Sequence, residues 1–169
     1  MSLTALVDWL TQTTASTVIQ TNEWVIPTVQ SIHIVAIGVV LGSVLMITLR
    51  SWDLAGRDQS PSEIFARFDP WLVGAMVVLL ATGVIMIVGE PARELLALSF
   101  WMKMGLLLIG VAMVTAFRRS LRAHLTADGS LGPRVLAVAT VVVWLSVVVL
   151  GRLIAYDHVW GSWSAAFKG

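Results

Sequence analysis

Three basic side chains interrupt long apolar runs of this chain: His33, Lys103 and Arg152. An ionisable group inside a bilayer costs about 2.5–3.5 kcal/mol at a helix centre on insertion scales, so each needs a partner or a purpose. Counted from the nearer run ends at about 1.5 Å per residue, His33 and Lys103 lie about 12 Å and Arg152 about 6 Å below one interface. The acids lie elsewhere, with Glu90 and Glu94 in an outer turn and Glu23 and Asp157 at run ends. A cluster of His, Lys and Arg with no counterion at its depth predicts an anionic or electron-rich guest, because neighbouring buried cations repel. The plain alternatives are snorkelling to the surface for Arg152 and Lys103, and a hydrogen bond to a neighbouring helix for His33.

Imidazole is a common axial ligand of haem iron, and basic side chains near a membrane surface suit haem propionates. A b-type haem is therefore expected with iron at His33 and propionates toward Lys103 and Arg152. At about 100° per residue, Gln30, Ile37 and Val40 share the His33 face and Tyr156 shares the Arg152 face, so the expected pocket holds Gln30, His33, Lys103, Arg152 and Tyr156. Leu107 and Gly110 follow Lys103, the glycine leaving room deeper in. Met86, Met102 and Met104 are candidates for the sixth ligand, although methionine in apolar helices is more often core filler. His158 falls just beyond the last run, and His124 lies in RRSLRAHLTADG, where solvation is the simplest reading. No second deep histidine is present, which disfavours a bis-histidine cytochrome.

The elements that must position these groups follow from hydropathy. Of 169 residues, 57% are hydrophobic and 12% charged, against roughly 45–50% and about 25% in soluble domains, so this is a membrane protein. Ten acids against eleven bases give +1, which excludes a nucleic-acid footprint, and the absence of cysteine removes disulfides, thiolate metal sites and iron–sulfur clusters. Four runs, about Trp24 to Leu49, Trp71 to Gly89, Leu95 to Phe117 and Val135 to Tyr156, are long enough to span about 30 Å as helices. Asp69–Pro70 is expected to precede the second, Gly89–Glu90–Pro91 to make the second and third antiparallel neighbours, and Asp128, Gly129, Gly132 and Pro133 to separate the last two. Within the first helix GVVLG, Gly38 to Gly42, reads as a close-packing motif on the side away from His33.

Arg50, Arg57, Arg67, Arg118, Arg119, Arg122 and Arg134 lie on one side, and only Arg93 and Lys168 on the other. The positive-inside rule makes the arginine side cytoplasmic and both termini periplasmic in a bacterial inner membrane. Trp24, Trp71, Trp101, Trp160 and Trp163 fall near helix ends, as interfacial anchors. The first 22 residues lack a basic n-region and a continuous apolar core, so no cleaved signal is expected; Leu3, Leu6, Val7 and Leu10 instead mark an interfacial amphipathic helix over about 3–20. The expected fold is a single all-α domain, a four-helix membrane bundle.

The run WVIPTVQSIHIVAIGVVLGS at 24–43, Leu49–Arg50, Thr82–Gly83, FWMK at 100–103 and GRLIAY at 151–156 resemble a family of small four-helix bacterial membrane proteins of uncharacterised function. The likeness extends to ALVDWL at 5–10, although Gln30 stands where that family carries an acid. More distantly, a first-helix histidine with a lysine early in the third helix resembles HemJ-type protoporphyrinogen oxidases and the membrane domain of copper resistance protein D. The first resemblance implies b-type haem held at His33 with Lys103 as the functional lysine; the second implies periplasmic copper handling. The segment GSVLMITLR at 42–50 lacks the aromatic and proline-arginine features of HemJ, so porphyrinogen oxidation is not carried over.

Three readings follow. The first is a haem b electron carrier or membrane oxidoreductase between a quinone or redox partner protein and an outward-facing acceptor. The second is a copper-handling or transport subunit, with copper at His33 and a methionine, opposed by the charges of Lys103 and Arg152. The third is a cofactor-free scaffold that associates with lipid or with further copies of itself. No nucleophile elbow, HExxH, phosphate loop or intramembrane carboxylate pair is present.

Overall fold

The computed structural model describes residues 2–123 and 131–156; His124, Asp128, Gly129, His158, Trp160, Trp163 and Lys168 lie outside them. The described chain is helical throughout: α1 Leu3–Thr11, α2 Thr14–Thr21, α3 Val25–Ser51, α4 Pro61–Gly89, α5 Pro91–Leu95, α6 Leu98–Ala123 and α7 Leu131–Leu153, closed by a 3-10 turn at Ile154–Tyr156. Helices α3, α4, α6 and α7 are long and apolar enough to cross a membrane, which makes this a multi-pass membrane protein.

Several boundaries differ from hydropathy for local reasons. The single interfacial helix is two, because Ser2 and Thr13 each accept a backbone N–H three residues on, from Ala5 and Ser16 at 3.3 Å, and so start separate helices. Helix α4 begins at Pro61, about a third of its length before the apolar run. Ser60 accepts the Glu63 N–H at 3.2 Å while the Glu63 carboxylate accepts the Ser60 N–H at 2.6 Å, a reciprocal cap that starts a helix in polar sequence. Pro70 is therefore interior rather than preceding the span. It and Ala66, whose carbonyl loses its helical partner there, are both exposed, so surroundings rather than protein can satisfy that carbonyl. Gly132 and Pro133 likewise fall in the first turn of α7 instead of a loop.

Packing departs further. Helix α3 packs on α4 and on α7, and α7 on α6, but α4 and α6 make no substantial contact. The order across the bundle is thus α4–α3–α7–α6, an arc open between its outer members. The expected pairing of α4 with α6 fails because α5 is a spacer: it packs on both and holds their joined ends apart. The arc's core is Ala36, Val40 and Val44 of α3, Leu72, Ala75 and Leu79 of α4, and Trp144 of α7. At the α5 end of the bundle α1 packs on α5, and Val7, Leu95, Ala97, Phe100 and Ile154 form a separate cluster. Gly38 and Gly42 face open space, so the GVVLG motif is not used for packing within the chain.

Candidate functional site

The gap between α4 and α6 is a cavity of about 440 Å³, floored by His33 and Ile37 of α3 and by Trp144, Val147 and Val148 of α7. It opens sideways: Leu80, on its α4 wall, is 72% exposed. Its walls are almost wholly apolar, with His33, Glu94 and Lys103 as the ionisable groups.

His33 is half-buried on α3, and its Nδ1 lies 2.7 Å from Oγ1 of Thr82 on α4. Thr82 Oγ1 lies in turn 2.7 Å from the carbonyl of Val78. No protein group among the described residues engages the other ring nitrogen. Lys103 crosses from α6 to α7, where Gly151 makes room; a Cβ at 151 would lie 3.5 Å from its Nζ. Within the described residues no carboxylate comes within ion-pair distance of that ammonium.

Glu94 lies in the turn between the second and third spans, as expected, but its side chain does not face outward. The single turn of α5 directs it inward, 8% exposed, into the same cavity as Lys103. Burial pushes its carboxyl above the usual range, against the opposing pull of Lys103 and Arg93. Lys103 and Glu94 therefore feel each other's charge across the cavity without forming a bridge.

Of the expected pocket, His33, Lys103, Met86 and Met104 come together, and Gln30, Arg152 and Tyr156 do not line the cavity. Consecutive helical residues point about 100° apart, so with Gly151 facing Lys103, Arg152 turns outward. Its guanidinium donates to Tyr156 Oη at 3.3 Å and stacks 5.3 Å above that ring, which is itself 44% exposed. Met102 is also exposed, whereas Met76, not singled out from the sequence, lines the wall. Gly110 does not leave a void; it admits the Trp144 indole, which a Cβ there would approach to 3.3 Å. Trp144 is 3% exposed and its Nε1–H has no acceptor among the described residues.

Thr82 and Glu94 are what residue-by-residue reading missed. The only signal for Thr82 is a hydroxyl at mid-span in an otherwise apolar run, and for Glu94 a Pro-initiated turn too short to have an apolar face. No three His, Asp or Glu side chains gather into a metal site among the described residues. The arrangement can hold an elongated or flat apolar guest and offer it one imidazole nitrogen, one ammonium and one carboxyl. No curated protein and no solved structure matches the chain. Residues 7–157 match DUF6644, a family of unknown function, and the chain belongs to that family.

Proposed function

We propose that the α4–α6 cleft holds b-type haem and that the protein carries electrons between a membrane quinol or partner protein and an acceptor at the outer face. The observation that supports this is His33, which combines one ring nitrogen anchored to Thr82 with one left unengaged at an apolar cavity of about 440 Å³. That size falls within the roughly 300–1,000 Å³ of ligand pockets, and an imidazole whose other ring nitrogen is held by a hydrogen bond is the usual form of a metal-ligating histidine. Haem would supply one-electron chemistry at this place. His33 would hold its iron, Lys103 would meet a propionate, and Met76, Met86 and Met104 line the walls as candidate thioether ligands. Burial pushes the Glu94 carboxyl above its usual range, against the pull of Lys103 and Arg93, and in its protonated form it would donate a hydrogen bond to a propionate instead of repelling it. The arginine-rich ends of the spans face the cytoplasm in this reading, which puts the cavity in the periplasmic half of a bacterial inner membrane with both termini outside. Haem beside His33 and Lys103 would also align the chain with the HemJ-type arrangement.

Copper is the second reading, because three thioethers surround the same cavity as His33 and soft ligands suit copper(I). It requires the cation to share that cavity with Lys103. One absorption spectrum of the detergent-purified protein separates the two. The haem reading expects a Soret band that shifts on reduction and is lost in His33→Ala. A folded, colourless preparation that takes up no added haem overturns it, and calorimetric copper titration then tests the second.

A further inference from the structure

We infer that Thr82 is a positioning residue that fixes His33 as its Nδ1–H tautomer and leaves Nε2, with the ring's lone pair, for the cavity. The inference deepens the haem reading by naming the ligating atom, but it rests on protein atoms alone.

The argument is a count of protons. Thr82 Oγ1 stands 2.7 Å from the Val78 carbonyl oxygen and 3.2 Å from that of Leu79. Two oxygens approach to 2.7 Å only with a proton between them, and a carbonyl has none to give. The single hydroxyl proton of Thr82 is therefore committed to its own helix. His33 Nδ1 lies 2.7 Å from the same hydroxyl oxygen, so the proton in that contact comes from the imidazole. A neutral ring with its proton on Nδ1 has its lone pair on Nε2. The relay runs from His33 on α3 through Thr82 to the backbone of α4, so the helix that forms one wall of the cavity also sets which nitrogen the floor presents. Thr82 is buried, which keeps water from substituting for its hydroxyl.

The test is nitrogen-15 NMR of the haem-free full-length chain labelled at histidine, in alkaline buffer where imidazoles are neutral. The chain has three histidines, and the signals lost in His33→Gln assign the one of interest. The expected result is a protonated Nδ1 and an unprotonated Nε2 at His33. In Thr82→Val, of nearly the same shape, the ratio of tautomers should move toward Nε2–H by roughly fivefold, the size of one ordinary hydrogen bond, and Thr82→Ser should restore it. A wild-type His33 protonated mainly at Nε2, or shifts unmoved by Thr82→Val, overturns the inference. Should Thr82→Val fail to fold, the wild-type spectrum alone still decides. A Nδ1–H ring in a protein that refuses haem leaves this inference standing and removes the haem reading; a Soret band with an Nε2–H ring in the haem-free chain does the reverse.

Discussion

The two ends of the bundle treat polar side chains in opposite ways. At the arginine-rich end hydrogen bonds and ion pairs tie α3 and the turn after it to α7. Asp53 accepts from Arg50 and, at 3.1 Å, from Arg134; Trp52 donates to the Arg134 carbonyl at 3.3 Å; and Thr48 donates to the Ala137 carbonyl at 3.2 Å, joining α3 to α7. Ile47, Ile64 and Ala137 fill the space beneath. At the other end Lys103 and Glu94 face one cavity without meeting, and one nitrogen of His33 is left over. A polar group that costs free energy to bury is normally bonded. The fastened end is thus explained by the fold alone, and the unfastened end is not.

Trp144 sits where the two regimes join, in the core of the arc and on the cavity floor, so replacing it should break the distinction most severely. Trp144→Ala is expected to lower stability by about 3–5 kcal/mol, the usual loss for a large buried aromatic. Trp144→Phe should retain most of that, because it keeps an aromatic ring and deletes an indole N–H that has no acceptor among the described residues. Thermal unfolding in detergent measures both. A Phe variant as unstable as the Ala variant would show that the indole N–H has a partner in the membrane-embedded protein.

Next in size are two substitutions, one at each end, with opposite signs. Thr48→Val removes a hydroxyl shared between the carbonyls of Val44 at 2.9 Å and Ala137 at 3.2 Å, and should destabilise by about 1 kcal/mol. Lys103→Met removes a cation that has no ion pair among the described residues, and should stabilise the guest-free protein by about 1 kcal/mol while weakening retention of a guest. If Lys103→Met instead destabilises the guest-free protein, Lys103 is part of the fold and the contrast between the ends is lost.

How much of this was legible from the sequence depends on the scale of the feature. Spans follow from runs of apolar residues, and the common depth of His33 and Lys103 follows from counting along them. Which way a side chain faces depends on neighbours the count does not include. Arg152 lies at a suitable depth but turns outward, because Gly151 occupies the inward position against Lys103. Glu94 turns inward because five residues of helix separate α4 from α6, a spacer that hydropathy reads as a simple reversal. The start of α4 was legible in principle: Ser60, Pro61 and Glu63 spell a cap, but polar sequence beyond an apolar run draws attention to the run.

Glu94 gives the unfastened end a pH signature. Its carboxyl is held above the ordinary 4.5 by burial, with Lys103 and Arg93 pulling it back down. An acid whose folded pKa is raised favours folding in its protonated form, so its contribution is fully present below the unfolded pKa and is lost as pH rises through the folded one. Wild-type melting temperature should fall across that window, and Glu94→Gln should abolish this component and be the more stable protein above it. A wild-type and variant that run parallel with pH would place Glu94 in water.

The smallest expected effect is at the fastened end. Asp53 is 55% exposed at its side chain and adopts φ +57°, a left-handed backbone that Asn tolerates and Ala resists. Asp53→Asn therefore keeps the backbone preference and removes only the charge that Arg50 and Arg134 share. It should cost no more than about 0.5 kcal/mol, as exposed ion pairs do, and the difference from wild type should vanish in high salt. Asp53→Ala adds the backbone penalty of about 1 kcal/mol, which salt cannot screen. If both variants lose the same amount and both losses are screened, charge alone holds this turn. If neither is screened, the turn is held by its backbone, and the arginines there are left to the membrane surface.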